Sequence, residues 1–195
     1  VFQTVFGFNE SLFSKSWPAC FCIPFFSSIT FRYFDLKKMD TTVQIRNAVA
    51  SDVPSILGLI KELADFEKAA NQVEVTESEL LKDGFGEAPS FFCLVATHEN
   101  RIVGMVLFFF KYSTWKGKTL YLDDIIVTND FRRMGIGQKL FDRVVDFAAT
   151  HQLRRLEWQV LEWNQPAIDF YKKNKANFDD EWINCKLTNH DYLAI

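Results

Sequence analysis

Apolar residues Ile56, Leu59, Ile60, Leu63 and Phe66 recur at three- and four-residue intervals, which predicts a helix laying one face on a sheet. Ser51 or Asp52 precedes it as a candidate N-cap, with Pro54 just inside. Val43 to Arg46 reads as a strand before it, and Thr76-Glu77-Ser78-Glu79 as a capping box opening a shorter helix to Lys82. Phe91 to Thr97 and Ile102 to Lys111 are strand-like runs joined at His98-Glu99-Asn100-Arg101, which predicts an antiparallel hairpin. Leu120 to Val127 is the next strand. Helical spacing returns at Leu140, Phe141, Val144, Val145 and Ala148, followed by a strand over Leu156 to Leu161 and a helix over Gln165 to Asn174, with Pro166 in its first turn. Trp182 to Leu187 and the tail to Ile195 supply the last predicted strands. The order is that of an α/β (α+β) domain: a mixed sheet flanked by helices, without repeats.

The first 38 residues do not share this patterning. They hold nine of the 21 Phe residues and show neither helical nor alternating period. Pro18 and Pro24 interrupt their apolar run around Cys20 to Phe26, which is too short to span a membrane and unlike a secretory leader. Residues 1–38 are therefore expected to be an extension outside the working domain, which would occupy 39–195 with Met39 as its natural start. The formal charge is −3, and −5 without that extension, which argues against nucleic-acid binding. Cys93 and Cys185 each sit singly in apolar stretches, as small buried hydrophobes do, and His98, His151 and His190 lack ligand spacing. The chain thus reads as a reducing, cytoplasmic protein with no metal.

Chemistry concentrates after the strand at 120–127. Phe131-Arg132-Arg133-Met134-Gly135-Ile136-Gly137-Gln138 is a basic, glycine-bearing turn leading into a helix, a place where backbone N–H groups can hold phosphate. It lacks the Gly-Lys-Ser/Thr of a nucleotide phosphate loop, and Leu140 stands where a dinucleotide fingerprint needs its third glycine. Asp123 and Asp124 are carboxylates in an otherwise apolar strand. Strict pleating would aim only one of them at a cleft, whereas a bulge would relax that restriction. A strand end surfacing into water would make both plain solvated charges; the glycine loop beside them favours function. Tyr171 shares a helical face with Ala167 and Phe170.

Arg132-x-x-Gly135-x-Gly137, with Asn164, Ala167 and Tyr171 spaced as Asn-x-x-Ala-x-x-x-Tyr, resembles the GNAT family of N-acetyltransferases. From about Val43 to Phe178 the chain is similar to the spermidine/spermine and thialysine N-epsilon-acetyltransferases. The similarity runs through Asp83-Gly84-Phe85-Gly86, Tyr112-Ser113-Thr114-Trp115-Lys116-Gly117 and Tyr121-Leu122-Asp123-Asp124. The resemblance implies the GNAT fold, a largely antiparallel sheet splayed between the strands at 120–127 and 156–161. It implies acetyl-CoA as cosubstrate, a small cationic primary amine as acceptor, and a homodimer.

It also implies roles. Arg132, Arg133, Met134, Gly135, Ile136, Gly137 and Gln138 would hold the pyrophosphate, the backbone of Ile125, Ile126 and Val127 the pantetheine arm, and Asn164 would lie beside the cofactor. Phe66, Glu67 and Trp115 would border the amine, Asp123 would act as base through a water, Asp124 would neutralise the cation, and Tyr171 would protonate the leaving thiolate. An acceptor is needed because an alkylammonium of pKa near 10.4 costs roughly 4 to 5 kcal/mol to deprotonate at pH 7. Three residues depart from the family: Asp123 stands for Glu, Ser113 for an acidic residue, and Lys175 for the glycine after the last helix, where Asn174 is expected to take the left-handed cap. Acetylation of a protein lysine or N-terminus, or a coenzyme A binding module without catalysis, are the competing readings.

Overall fold

A computed structural model describes residues 43–193, so the Phe-rich extension lies outside the described residues. The elements run β1 (Val43–Asn47), α1 (Val53–Phe66), α2 (Glu77–Phe85), β2 (Phe92–His98), β3 (Arg101–Ser113), β4 (Gly117–Val127), α3 (Ile136–Thr150), β5 (Leu156–Glu157), α4 (Gln165–Lys173) and α5 (Asn189–Leu193). The sheet order is β1-β2-β3-β4-β5, antiparallel through β4 and parallel between β4 and β5. Helices cover both faces, which is why β2 and β3 read as nearly continuous apolar runs. On one face Leu94, Val106, Phe108, Leu120 and Leu122 pack with Leu140, Phe141 and Val144 of α3 and Tyr171 of α4. On the other, Cys93, Val95, Met105 and Ile126 pack with Ile56 and Leu59 of α1.

Local signals explain the ends. The β2–β3 hairpin closes with Glu99 and Asn100 both at positive φ, 47° and 65°, as a two-residue turn matching strand twist requires. At α2 the Thr76 hydroxyl accepts from Glu79 N at 3.3 Å and the Glu79 carboxylate accepts from Thr76 N at 2.8 Å, so the capping box forms. Gly84 in α2 leaves room for the Phe91 ring, whose Cζ would stand 2.4 Å from an added Cβ.

Several expectations need correction. Asp52 precedes α1 but does not cap it; its carboxylate takes Arg46 at 2.6 and 3.0 Å and Val49 N at 2.9 Å, tying β1 to the turn ahead of the helix. Val145 is exposed, because it sits at the edge of the α3 stripe that Leu140, Phe141, Val144 and Ala148 bury. The strand expected over Leu156 to Leu161 is only Leu156–Glu157, paired with Leu120 and Tyr121. Trp182 to Leu187 forms no strand: with β5 so short, no ladder extends to receive it, and Trp182, Ile183 and Leu187 are exposed. Cys185 is exposed with them, whereas Cys93 is buried as expected. Finally Lys175, not Asn174, takes the left-handed conformation at φ 60°, and Ala176 N closes on Tyr171 O at 3.0 Å in a Schellman motif.

Candidate active site

Three helix and strand ends converge on the edge of β4. The first is a bulge: Leu107 pairs with Asp124 and Phe108 with Leu122, so Asp123 is the extra residue. Its effect shows in the side-chain parity. Leu120 and Leu122 face the α3 core before the bulge, and Ile125 and Val127 pack against the same core after it. Asp123 and Asp124 are therefore both turned to the α1 side, Asp124 in the row of Ile126. Asp123 is exposed and Asp124 half-buried.

The second feature is a gap. Among the described residues no strand pairs with β4 beyond Tyr121 on its β5 side, so the ladder stops there, and the Val127 carbonyl is taken instead by the Arg132 side chain. Tyr171 approaches this gap from the α3 side, buried among Trp158, Phe141 and Phe170 at ring separations of 5.0, 6.0 and 5.2 Å. Although the tyrosine and the acids belong to opposite faces of the sheet, they sense each other through the gap. Burial, and then the charge of Asp124, push the Tyr171 hydroxyl up to about 12. Burial, then Asp123 and Glu67, push Asp124 up to about 6. Asp123 is raised by desolvation, as is Glu67, which follows the last turn of α1. The charges of Glu67 and Asp123 thus act on Asp124, and that of Asp124 on the Tyr171 phenol.

The third feature is the start of α3. Gly135 takes φ 76° as its N-cap, and the first intrahelical bond runs from Lys139 N to Gly135 O at 3.1 Å, so the amides of Ile136, Gly137 and Gln138 point out of the helix end. A Cβ at Gly135 would meet nothing within 4 Å, and one at Gly137 only Val127 at 3.9 Å, so the space before these amides is open. The left-handed turn continues at Arg133, φ 61°. This open cradle, with the positive end of a helix behind it, fits a diphosphate.

Side chains here divide between cradle and scaffold. Arg133 and Met134 are exposed. Arg132 instead turns inward, donating to Val127 O at 2.9 Å and lying 5.2 Å over the Phe66 ring. Phe66 in turn meets Trp163 at 5.6 Å, so one aromatic links the end of α1, the glycine loop and the segment before α4. Gln138 exchanges hydrogen bonds with Asn174, at 2.7 and 3.2 Å, joining the start of α3 to the end of the helix carrying Tyr171. Asn164 Oδ1 caps α4 by accepting from Ala167 N at 3.3 Å. Trp163 and Asn174 were not among the expected site residues. Trp163 directly precedes the Asn164 motif and was legible from that neighbourhood, whereas the Gln138–Asn174 pair spans 36 residues and has no local signal.

Trp115 stands apart. It is 81% exposed at the tip of the β3–β4 hairpin, beyond Gly117, from which β4 runs about 23 Å to Asp124 at 3.3 Å per residue. Within one chain the structure does not bring it to the carboxylates. Ser113 accepts from the amides of Trp115 and Lys116 at 3.3 and 3.2 Å, so it folds that turn. Two cavities of about 580 and 440 Å³ also lie elsewhere, one beside Arg46, Ser55 and Arg101, the other beside Trp115, Lys118 and His151. The candidate site is an open gap between strands. Among the described residues no group of three His, Cys, Asp or Glu could hold a metal, and no helix is long and apolar enough to cross a membrane.

Comparison with known proteins agrees with this architecture. Residues 59–175 match the Acetyltransferase (GNAT) family. The chain is 43% identical over 138 residues to a thialysine N-epsilon-acetyltransferase of Bos taurus, covering 67% of this chain and 81% of that one. It is 40% identical over 140 residues to the spermidine/spermine N(1)-acetyltransferase-like protein 1 of Homo sapiens, covering 68% of this chain but 20% of that longer protein. An aminoglycoside acetyltransferase structure from an uncultured soil metagenomic sample superposes with a TM-score of 0.66 at 22% identity, covering 77% of this chain and 99% of the other, which shows the shared fold. A mixed sheet opening between β4 and β5, a glycine-started α3 and these relatives lead to one conclusion: the chain belongs to the GNAT family and is an N-acetyltransferase.

Proposed function

We propose that the protein transfers acetyl from acetyl-CoA to a primary amine of a small cationic substrate, a diamine, polyamine or thialysine- and lysine-like molecule, by direct attack in a ternary complex. What supports this reading is the acid pair Asp123 and Asp124 at the β4 bulge beside the end of the β4–β5 ladder, with Glu67 and Asp123 acting on Asp124 and Asp124 acting on Tyr171 through their charges.

The backbone amides of Ile136 to Gln138 with Gly135, and the exposed Arg133 beside Met134, would hold the diphosphate of the cofactor. The β4 edge over Ile125 to Val127, whose Val127 carbonyl already accepts from Arg132, would offer its remaining backbone groups to the extended arm, as a strand edge pairs with an extended ligand. The cofactor's contribution is a thioester, a carbonyl carbon attached to a good leaving thiol. Arg132, Phe66 and Asn164 act on this reading as scaffold for the cradle and its neighbours.

The chain's own part is electrostatic and proton handling. Three carboxylates on one rim draw a cation toward the gap. One of the bulge carboxylates accepts the ammonium proton, and Tyr171, a phenol protonated at neutral pH and pushed further up by burial to about 12, supplies a proton to the departing sulfur. Trp115, remote within its own chain, takes no part in this reading; the exposed Trp182, Ile183 and Leu187 provide apolar surface that a homodimer would cover.

Following thiol release from acetyl-CoA with a panel of diamines, polyamines, thialysine, lysine and lysine peptides tests the proposal. Turnover of the small amines is expected. Turnover of peptides alone would replace the acceptor class, and no release with any amine would leave a binding module.

A further inference from the structure

Helices α3 and α4 meet beside the glycine cradle, and a pair of side-chain amides fixes their register. Resting on the acetyl-transfer reading above, we infer that Gln138 and Asn174 are positioning residues: together they set the distance between the diphosphate cradle and Tyr171, and the Gln138 side chain does not itself hold phosphate.

The contact between the two helices has an apolar part and a polar part. Phe141 of α3 meets Phe170 and Tyr171 of α4 at ring separations of 5.5 and 6.0 Å. Apolar contacts of this kind hold helices together but are non-directional, so they leave one helix free to slide or turn against the other. One turn before Phe141 and one turn after Tyr171, Gln138 Nε2 donates to Asn174 Oδ1 at 2.7 Å and Asn174 Nδ2 donates to Gln138 Oε1 at 3.2 Å. A reciprocal pair tolerates only a narrow range of length and angle, which fixes the register.

The donor inventory decides what else these side chains can do. A primary amide has two N–H donors and one carbonyl. Gln138 spends its second donor on Asp142 Oδ1, one turn along α3, at 2.8 Å, and Asn174 spends its second on Phe170 O at 2.9 Å. Both donors and the carbonyl of each amide are thus engaged within the protein. Gln138 has no side-chain donor left for a phosphate oxygen, whereas its backbone amide stands in the open first turn of α3. It touches the cradle through its main chain and α4 through its side chain.

The consequence is mechanical. Asn174 lies three residues after Tyr171, and its second hydrogen bond goes to the carbonyl of Phe170, the residue before Tyr171. A half-buried strut therefore runs from a cradle amide to the backbone that carries the phenol. A proton donor must stand within hydrogen-bond reach of the group it protonates, and on this reading that group belongs to a cofactor anchored at the cradle. An error of about 1 Å between anchor and donor costs on the order of 100-fold in rate.

Thiol-release kinetics on the full chain, with thermal melts to check folding, compare wild type, Gln138→Ala, Asn174→Ala, the double variant, and each single substitution in a Tyr171→Phe background. Either single substitution should lower kcat about tenfold to 100-fold with KM for acetyl-CoA within about threefold, and the double variant should fall within about twofold of the slower single. In the Tyr171→Phe background neither should lower kcat by more than about a further twofold. A raised KM for acetyl-CoA with kcat kept in Gln138→Ala would make that side chain a phosphate ligand, and losses that add, or that persist without the Tyr171 hydroxyl, would make the pair independent of the donor; each result overturns the inference. Should Gln138→Ala fail to fold, Asn174→Ala, which cuts the same strut from the α4 side, carries the same predictions. Should wild type turn over no amine, the acetyl-transfer reading fails on its own, and carbon NMR of ring-labelled tyrosine decides the inference: a Tyr171 resonance displaced in both single variants supports it, and one unchanged in either overturns it.

Discussion

Replacing Tyr171 by Phe separates a catalytic hydroxyl from a core anchor, because the two roles predict opposite magnitudes. Phe keeps the ring contacts with Trp158, Phe141 and Phe170 at 5.0 to 6.0 Å, so the apolar packing survives. No hydrogen bond to the Tyr171 hydroxyl occurs among the described residues, so its removal forfeits none of the roughly 1 kcal/mol that a typical intramolecular bond contributes. Stability should therefore change by less than about 0.5 kcal/mol. A general acid, by contrast, is worth about 10²- to 10⁴-fold, or about 2.7 to 5.4 kcal/mol of activation free energy. Thiol-release kinetics at saturating acetyl-CoA and amine, beside thermal melts of both proteins, measure the two quantities. The expected result is a kcat down at least 100-fold with KM for acetyl-CoA within about threefold and an unchanged melting temperature. A kcat within threefold of wild type would refute the donor role, and a large loss of stability with a proportionate loss of activity would make the residue structural.

Two further outcomes follow from the geometry. Lys175 holds φ 60° at the end of α4, a conformation that costs a residue with a Cβ roughly 1–2 kcal/mol, while glycine gives back about 0.5–1 kcal/mol through its freer unfolded chain. Lys175→Gly should thus stabilise the protein by about 0.5–1 kcal/mol, raising the melting temperature by about 1–4 °C, and a lowered midpoint in calorimetry would count against the strain. Asp124, with a folded pKa raised to about 6, favours the fold below its unfolded value near 3.9 and loses that contribution as pH rises through 6. Its ionisation at neutral pH costs up to about 3 kcal/mol at 1.36 kcal/mol per unit, so Asp124→Asn should be more stable than wild type in urea at pH 7.5, with the advantage shrinking by pH 4.5. A difference independent of pH would disprove this.

Much of the candidate site was legible because its parts are local. The glycine turn, the acid pair, the Asn-x-x-Ala-x-x-x-Tyr spacing and the Thr76 capping box each depend on residues within eight positions of one another. A possible bulge at the acid pair was also legible, since two adjacent carboxylates in an apolar strand cannot both face one side without it. Errors arose where partners decide. The tail at Trp182 to Leu187 has strand composition, but a strand exists only if another backbone receives its hydrogen bonds, and β5 ends at Glu157. Trp115 read as an active-site aromatic, yet the length of the β3–β4 hairpin carries it away. Asp52 read as a helix cap until Arg46, six residues earlier, claimed its carboxylate.

By itself, the sequence determined the order and type of most elements, the helix-starting glycine loop and the inventory of acids and phenol, because periodicity, capping and turn conformation are short-range properties of the chain. Only the tertiary structure decided that Asp123 is the residue the β4 bulge leaves out of the ladder, that Arg132 and Gln138 brace the loop, and that Lys175 carries strained backbone. These depend on ladder register and on which elements meet across the β4–β5 gap, distances in space that no spacing along the chain encodes.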